Sequence, residues 1–349
     1  MKLAITADVH FSAYAQDTII DGYPERLGSL KNTITNMIEE CKKRGVVDIA
    51  FAGDLCHNKS IIHTAAQDVM LNIFQDVQYQ DLKFYVIDGN HDLSTKGSES
   101  VSALRSLESI SNVTWISHQS KGEMGYYTDL GKRVLFVPYY PGMKEYLDKP
   151  STKADILISH FGLNEAILNS GISIQSPIKA SDLKRFKLVI LGHYHLPQHM
   201  IYGKTNIYYT GSPIQLDWGE KNEEKRFLII DTETLEVESV PTKGYKKYCQ
   251  FDVNSKNKSE IIQEAKNLRD AGHHVKLNTK EKLTFDDGME QINVVEDLDV
   301  DITNRGITAN MDETTRHKKY LEIKEIPEEE HKKYLETAKR IMDSTELPE

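Results

Sequence analysis

Residues 48–57 contain the feature that most constrains how this chain can fold. The run Ile49-Ala50-Phe51-Ala52 is short and apolar, which is typical of a strand buried on both faces. It ends at Gly53 and Asp54, and His57 follows three positions later. An ionised carboxylate at the end of a core strand is costly unless it is paired or binds a metal ion. The stretch therefore predicts a buried strand that leads into a polar site.

The same arrangement occurs at four other places in the sequence. In each case an apolar run ends at residue types that can bind metal: 4–7 before Asp8 and His10, 84–88 before Asn90, His91 and Asp92, 156–159 before His160, and 188–191 before His193 and His195. Any one of these motifs alone is more often a turn than a site. Five buried strands that all end in such residues, however, predict one shared site.

The composition indicates a soluble globular protein. Of the 349 residues, 39% are hydrophobic and 28% are charged, and this length allows one large domain and a small one. No apolar run approaches the ~20 residues that a membrane span needs, and the first residues do not resemble a signal peptide. Cys41, Cys56 and Cys249 are widely spaced and odd in number, which favours a reducing compartment without disulfides. We therefore expect a cytoplasmic chain with no membrane association.

The formal net charge of −10 is distributed unevenly along the chain. Residues 259–349 contain 22 acidic and 14 basic side chains, a net charge of −8, whereas residues 1–258 contain 31 and 29, a net charge of −2. The part that carries the five motifs is therefore nearly neutral. Neither part offers the broad basic surface that supplies most non-specific DNA affinity.

Hydrophobic periodicity predicts an α/β fold. Apolar residues at helical spacing over 27–41 lie between predicted strands at 2–7 and 47–52, and such a β-α-β crossover implies parallel strands. Further helices are predicted at 62–78, 99–109 and 142–148, and further strands at 83–88, 113–116, 126–128, 133–137, 155–159 and 187–192. Strands at 206–210, 226–231 and 235–240 are expected to form a second, antiparallel set. We expect two packed mixed sheets flanked by helices.

Changes in composition predict three segments. Residues 1–243 carry the sheets, 244–320 form a small α+β module with a helix at 259–270 and a strand at 273–278, and 321–349 contain an amphipathic helix. That helix is predicted to begin at Pro327. Within the module, residues 285–316 are expected to be mostly irregular. The apolar face of the last helix, which fits packing on its own module and docking on a partner equally well, consists of Tyr334, Leu335, Ala338, Ile341 and Met342.

Seven of the polar residues are candidate metal ligands, namely Asp8, His10, Asp54, Asn90, His160, His193 and His195. Their mixture of carboxylate, amide and imidazole donors suits Mn²⁺, Fe or Zn²⁺ better than Ca²⁺ or Mg²⁺. Seven ligands are too many for one catalytic ion, which needs open positions, but they suit two ions that share a carboxylate. In two-metal sites the ions lie ~3.5–4 Å apart and clamp the attacking and leaving oxygens of an in-line phosphoryl displacement.

The motifs resemble those of a known enzyme family in both order and spacing. The series Asp8-Val9-His10, Gly53-Asp54 with His57, Gly89-Asn90-His91-Asp92, His160, and Gly192-His193-Tyr194-His195 is similar to that of calcineurin-like metallophosphoesterases. Within that superfamily the chain most resembles the SbcD-type nuclease subunit of double-strand-break-repair nucleases. The segment 210–216, with its Gly-Ser-Pro-Ile sequence, is typical of that branch, although Gly211-Ser212-Pro213 also fits an ordinary turn.

The resemblance covers residues 1 to about 243 and implies the four-layer metallophosphoesterase sandwich. It also implies a role for each site residue: Asp8, His10 and His195 would hold one metal ion, Asn90, His160 and His193 the other, and Asp54 would bridge them. His91 would protonate or stabilise the leaving oxygen, which a nonligating imidazole beside two cations can do near neutral pH. Asp92 would orient His91. His57 fits a place toward the substrate and an ordinary solvated histidine about equally.

The same resemblance implies a function. The chain would be a DNA phosphodiesterase, a 3′→5′ exonuclease with endonuclease activity in DNA repair, recombination and replication. It would depend on Mn²⁺, with Mg²⁺, Fe and Zn²⁺ as other candidates. Its implied partners are DNA, an SMC-like ATPase of the SbcC type and a second copy of the chain in a heterotetramer. Two other hypotheses stay open: a phosphodiesterase or phosphatase for nucleotides or phosphoproteins, and a non-catalytic scaffold subunit, against which the intact ligand set argues.

Overall fold

The computed structural model of the chain describes residues 1–13, 17–20, 22–59, 61–95, 99–119, 125–149, 154–284, 289, 292–296, 313–324 and 326–344. The chain divides into two compact units. The first unit consists of Met1–Cys249 with Asp270–His274, and the second of Gln250–Arg269 with Val275–Glu349. The boundaries expected at residues 243 and 320 stay predictions.

The strands are short, and most of them are buried. In chain order they are β1 (Lys2–Thr6), β2 (Ile19–Ile20), β3 (Tyr23–Pro24), β4 (Asp48–Ala52), β5 (Lys83–Ile87), β6 (Val113–Ile116), β7 (Tyr126–Asp129), β8 (Arg133–Val137), β9 (Ile156–His160), β10 (Leu188–Gly192), β11 (Gln198–Tyr202), β12 (Thr205–Tyr209), β13 (Arg226–Asp231), β14 (Val237–Pro241), β15 (Tyr248–Val253), β16 (His274–Thr279) and β17 (Ile292–Glu296).

The helices vary more in length. They are α1 (Glu25–Lys43), α2 (Thr64–Gln75), α3 (Met143–Leu147), α4 (Lys258–Asp270), α5 (Glu313–Ile323) and α6 (Glu328–Ser344). The helix expected at 99–109 is a 3₁₀ helix over Ala103–Ser109, and further 3₁₀ helices lie at Val77–Tyr79, Ala180–Leu183 and Trp218–Glu220. No helix in the described residues is both long enough and apolar enough to span a membrane.

Two six-stranded mixed sheets form the first unit. The first sheet has the order β14-β13-β1-β4-β5-β6, and the last four of these strands are parallel. The second sheet has the order β11-β12-β10-β9-β8-β7, and its four central strands are parallel. Antiparallel strands complete both edges of the second sheet and one edge of the first.

Strand β4 shows why the sequence carries a continuous apolar run. Ile49 and Phe51 pack into a core that includes side chains of α1 and α2, whereas Ala50 and Ala52 pack into the core between the two sheets. Because successive side chains of a strand point to opposite faces, both faces must be apolar. A third core covers the far face of the second sheet and includes Met143 of α3. The predicted architecture of two packed mixed sheets flanked by helices is therefore confirmed.

The prediction that residues 206–210, 226–231 and 235–240 form one antiparallel set is wrong. Strand β12 lies parallel to β10 in the second sheet, whereas β13 pairs with β1 in the first sheet, with Asp231 opposite Lys2. The apolar pattern of a segment identifies a buried strand but not its neighbour. The paired strands β1 and β13 come from opposite ends of the first unit.

The second unit is a small α+β module, as expected. Its sheet has the order β15-β16-β17, and its core includes Val253, Ala265 of α4 and Leu277. Strand β17 and the start of α5 lie in the segment predicted to be irregular, and most other residues of 285–316 lie outside the described part. Helix α6 begins directly after Pro327, as predicted. The side chains of Ala338, Ile341 and Met342 on its expected apolar face lie outside the described residues.

Candidate metal centre

The candidate ligands lie at the carboxyl ends of parallel strands in the two packed sheets. Asp8 follows β1, Asp54 follows β4 and Asn90 follows β5, and all three strands belong to the first sheet. In the second sheet, His160 is the last residue of β9 and pairs with Gly192, the residue before His193. The strand order therefore brings residues that are far apart in sequence to one edge.

One group of donors consists of Asp8, His10 and His195. Their ligand atoms all lie within 4.8 Å of one another. The Nε2 atoms of His10 and His195 are 3.1 Å apart. Two imidazole nitrogens come this close when at least one of them is unprotonated and can accept a hydrogen bond. A carboxylate and two imidazole nitrogens that face each other in this way form a donor set for a transition metal.

The second group lies around Asn90, His160 and His193. The side-chain oxygen of Asn90 is 3.1 Å from Nε2 of His160 and 2.9 Å from Nδ1 of His193. His193 thus faces its group through Nδ1, whereas His195, two residues later, faces the first group through Nε2. The two histidines of the Gly-His-Tyr-His motif therefore serve different groups.

Asp54 lies between the two groups. Its Oδ2 atom is 3.7 Å from Nε2 of His10 and 3.3 Å from Nε2 of His160. The carboxylates of Asp8 and Asp54, together with His160, also form a set within 4.8 Å. The structure thus brings all seven predicted ligands together, with one carboxylate in reach of both groups.

The backbone at this centre is unusual. Among the described residues, six non-glycine residues have positive φ, and four of them are candidate ligands: Asp8 (54°), His10 (53°), Asp54 (53°) and His193 (105°). Such conformations cost about 1–3 kcal/mol each and persist only where the surrounding structure imposes them. The strain is concentrated where the donors must turn toward a common point.

Two glycines make the close approach of the strands possible. A Cβ atom at Gly53 would collide with the ring of His160, and one at Gly89 would collide with Asp54. Gly53 also has a φ of 89°, a conformation that a side chain disfavours. Any larger residue at these positions would therefore displace the donors from one another.

The charges at the centre fit divalent cations. Asp8 is fully buried and Asp54 is 2% exposed, and no lysine or arginine in the described part of the chain pairs with either. Burial raises the pKa of Asp8; although burial acts in the same direction on Asp54, contact with His160 lowers the pKa of Asp54. Two buried carboxylates beside each other are costly unless cations neutralise them. The donor set therefore fits resident metal ions.

Burial and neighbouring charges also shift the pKa values of the histidines at this centre. Burial and the neighbouring His160 lower the pKa of His193 to about 3, and burial lowers the pKa of His10. Burial acts against protonation of His160 as well, but the carboxylates of Asp54 and Asp8 and the hydrogen bond to Ala52 together raise the pKa of His160 to about 9. The neighbouring carboxylate therefore favours the charged form of His160, whereas burial favours the neutral forms of His10 and His193.

His91 and His57 lie beside the ligands. The backbone N–H of His91 donates to Oδ1 of Asp54 at 2.7 Å, and Nδ1 of its ring donates to the carbonyl oxygen of His57 at 2.6 Å. The His91 ring packs edge-on to that of His10, with 4.9 Å between centroids. The ring of His91 is therefore held next to the metal ligands by a backbone carbonyl.

Asp92 has a different place from the one expected. It is fully buried, and its carboxylate accepts hydrogen bonds from the backbone N–H groups of Cys56 (2.8 Å), Gly89 (2.7 Å) and Leu55 (3.4 Å). These contacts join the loops that follow β4 and β5. Among the described residues, the ring of His91 is oriented by His57 rather than by Asp92.

Sequence reasoning missed Glu220 and Lys225. Oε1 of Glu220 accepts a hydrogen bond from Nδ1 of His195 at 2.8 Å, and Lys225 pairs with Oε2 of Glu220 at 2.6 Å. The pKa of Glu220, which burial alone would raise, is lowered to about 2 by His195 and Lys225. The only available signal was their position shortly after the Gly-Ser-Pro-Ile segment, because neither residue follows one of the five apolar runs.

Comparison with known proteins gives the following relatives. The family model for calcineurin-like phosphoesterases matches residues 1–197. Exonuclease subunit 1 of Enterobacteria phage T4 is 25% identical over 244 residues, which is 69% of this chain and 68% of that protein. Two solved structures match at 12% identity: an archaeal phosphodiesterase (TM-score 0.37, 69% of this chain and 99% of that one) and a hypothetical protein of Pyrococcus horikoshii (TM-score 0.39, 75% and 92%).

Proposed function

Because this chain belongs to the calcineurin-like phosphoesterase family, we propose that it is a two-metal DNA phosphodiesterase, a nuclease subunit of SbcD type. The observation that carries the proposal is the place of Asp54 between two groups of donors, 3.7 Å from His10 and 3.3 Å from His160. One carboxylate within reach of two donor sets fits a pair of catalytic cations that lie close together.

The proposed ligand assignment follows the two groups. Asp8, His10 and His195 would hold one cation and Asn90, His160 and His193 the other, with Asp54 shared. Two bound cations would supply Lewis-acid polarisation of the phosphodiester and an activated water. We propose Mn²⁺ as the native ion, since the mixture of oxygen and nitrogen donors suits it, and Mg²⁺, Fe and Zn²⁺ are the other candidates.

His91 is proposed as the general acid. Because its Nδ1–H donates to the carbonyl of His57, Nε2 is the ring atom that can hold and release a proton. That proton would go to the sugar oxygen as the phosphodiester bond breaks. His57 would act through its carbonyl oxygen, which fixes the ring, and Asp92 through the two loops that it joins.

DNA is the proposed substrate, with exonuclease action from 3′ to 5′ and endonuclease activity. The support is the 25% identity to an exonuclease subunit of phage T4 together with the Gly-Ser-Pro-Ile segment that resembles the SbcD branch. That relative is named as a subunit, which supports a role for this chain within an assembly. We propose an SMC-like ATPase of the SbcC type and a second copy of the chain as its partners.

The charge distribution supports a dependence on that assembly. A net charge of −2 over residues 1–258 offers few counterion-displacing contacts to a duplex, so the isolated chain should bind DNA weakly and with strong salt dependence. The partners would supply most of the DNA affinity of the assembly.

The test is a substrate panel with the Mn²⁺-loaded chain, alone and with the ATPase. We expect hydrolysis of bis(p-nitrophenyl) phosphate and degradation of linear DNA that the ATPase accelerates, both abolished by a chelator. The matched control is Asp8→Asn, because asparagine tolerates the left-handed backbone at this position while removing the charge. Turnover of nucleotides or phosphopeptides without any action on DNA would instead show the phosphatase, and metal binding with no turnover would show the scaffold.

A further inference from the structure

Glu220 lies behind His195 in the 3₁₀ helix Trp218–Glu220 and is only 3% exposed. Its Oε1 atom is 2.8 Å from Nδ1 of His195. Because a carboxylate oxygen accepts a hydrogen bond, the proton of this contact lies on Nδ1 of His195. Nε2, 3.1 Å from Nε2 of His10, is then the nitrogen whose lone pair faces the Asp8–His10–His195 group.

The other oxygen of Glu220 is held in place as well. Oε2 accepts hydrogen bonds from Nζ of Lys225 (2.6 Å), Oγ of Ser212 (3.0 Å) and the backbone N–H of Leu216 (3.0 Å). Three donors on one oxygen fix the rotation of the carboxylate and favour its charged form. Glu220 is therefore presented to His195 as an oriented anion.

Lys225 extends this arrangement to the backbone of the motif. Its fully buried ammonium group donates to the carbonyl oxygen of His195 at 3.1 Å and pairs with Glu223 at 2.8 Å. The ring of His195 is thus held by Glu220 and its main chain by Lys225. Glu223 shares the lysine, and its side-chain oxygens accept hydrogen bonds from Lys225 and Asn169 rather than from His195, so it provides a matched comparison.

The other histidines of the centre have different partners. Nδ1 of His160 donates to the carbonyl oxygen of Ala52 at 2.8 Å, and Nδ1 of His193 faces Asn90 at 2.9 Å. Nδ1 of His10 is buried without a hydrogen-bond partner in the described part of the chain. A carboxylate partner orients an imidazole and increases its basicity more than a carbonyl does. The two groups of ligands are therefore unequal.

We propose that Glu220 is a positioning residue that holds His195 in the tautomer with Nε2 available for a cation. It would thereby set the cation affinity of the Asp8–His10–His195 group alone and leave the Asn90–His160–His193 group unaffected. This inference rests on the proposed function, because it requires that both groups bind cations.

Mn²⁺ calorimetry on a matched pair of variants tests the proposal. Glu220→Gln keeps the size of the side chain, but its single oxygen cannot accept from both His195 and the donors that contact Oε2. It should therefore lower the Mn²⁺ affinity of one of the two sites by about 10–100-fold and leave the other unchanged. Glu223→Gln removes an anion from the same lysine without touching His195 and should leave both sites unchanged. Thermal melts of the metal-free variants report whether each is folded.

NMR spectroscopy of the unmodified protein tests the proposal without any variant. In metal-free protein at alkaline pH, the ¹⁵N shifts of the His195 imidazole should show the proton on Nδ1. A proton on Nε2 would overturn the proposal, even if Glu220→Gln failed to fold.

The outcomes separate this inference from the proposed function. Three results would overturn the role of Glu220 alone in a chain that binds two Mn²⁺ ions. They are no change of affinity in Glu220→Gln, an equal loss of affinity at both sites in Glu220→Gln, or the same loss in Glu223→Gln. An unmodified chain that binds no divalent cation would overturn the proposed function and this inference with it. A loss at one site confined to Glu220→Gln would support both.

Discussion

The backbone N–H of His91 donates a 2.7 Å hydrogen bond to Oδ1 of Asp54. This contact joins the loop after β5 to the carboxylate that we propose both cations share. The proposed acid and the proposed shared ligand are thus coupled through the main chain, whereas the imidazole of His91 is held separately by the carbonyl of His57. Removing the imidazole should therefore leave Asp54 in place.

The variant His91→Asn should keep both cation sites and lose turnover. General acid catalysis typically contributes about 10²–10⁴-fold, and we expect a loss of that size with DNA. The loss should be much smaller with bis(p-nitrophenyl) phosphate, because its leaving group needs no proton. Steady-state rates on both substrates and Mn²⁺ calorimetry check this. His199→Asn, at an exposed position on β11, is the control and should change neither quantity.

Reduced Mn²⁺ binding by His91→Asn would show that this imidazole ligates a cation. An equal loss on both substrates would show that it does not donate a proton to the leaving group. Either result would contradict the role proposed for His91.

The variant Asp92→Asn should destabilise the metal-free protein. Its carboxylate accepts from the N–H groups of Cys56 and Gly89, and an amide would turn its own donor toward one of them. An unsatisfied buried donor costs about 1–3 kcal/mol, so urea unfolding should show a loss of that size in the free energy of unfolding. Asp81→Asn, in an exposed turn, should have no effect. Native stability combined with lost turnover would instead support a direct role for Asp92 in orienting His91.

The thiols should be inert while the chain is folded. All three cysteines are buried, and burial raises the pKa of Cys41 to about 12 and that of Cys56 well above its ordinary value. Because the thiolate is the reactive form, an alkylating reagent at neutral pH should modify no cysteine in the native protein and three in urea. Mass spectrometry after timed labelling measures this. Rapid alkylation of Cys41 without denaturant would contradict the packing of α1.

Deleting residues 325–349, which removes α6 and keeps α5, should leave Mn²⁺ binding and basal phosphodiester hydrolysis unchanged, because every proposed ligand lies in the first unit. Assembly with the ATPase should weaken if the helix docks on that partner. Tyr334, which is 45% exposed, allows a milder test: Tyr334→Glu in the full chain should weaken assembly in the same way. A truncated chain that loses its cations would show that α6 supports the enzyme itself.

The parts of the site that could be predicted are those that a short, local sequence pattern identifies. Asp8, Asp54 and Asn90 each follow an apolar run, and the carboxyl ends of parallel strands meet at one edge, so their convergence followed from pattern alone. The positive φ of His10 and His193 could not be predicted, because only the packed loops impose it. His195 and Glu220 are 25 positions apart, and their contact depends on the path of the chain between them, which no short motif describes.

The fold shows the same limit. The parallel strands joined by α1 and α2 were predictable, because a crossover dictates the direction of the next strand. The pairing of β13 with β1 was not predictable, because the apolar pattern of an antiparallel strand does not identify the strand beside it. The backbone contacts of Asp92 could not be predicted for a related reason: its place beside His91 in sequence says nothing about the backbone donors of another loop.

The most direct measurement is the electron paramagnetic resonance spectrum of the Mn²⁺-loaded chain, compared with that of Asp54→Asn. If Asp54 bridges two cations, the unmodified chain should bind two Mn²⁺ and give the spectrum of an exchange-coupled pair. Asp54→Asn keeps a residue that tolerates the left-handed backbone, with φ of 53°, and should lose the coupling and weaken both sites. A single Mn²⁺ per chain, two uncoupled ions, or a variant in which only one site is weakened would contradict a shared carboxylate at this centre.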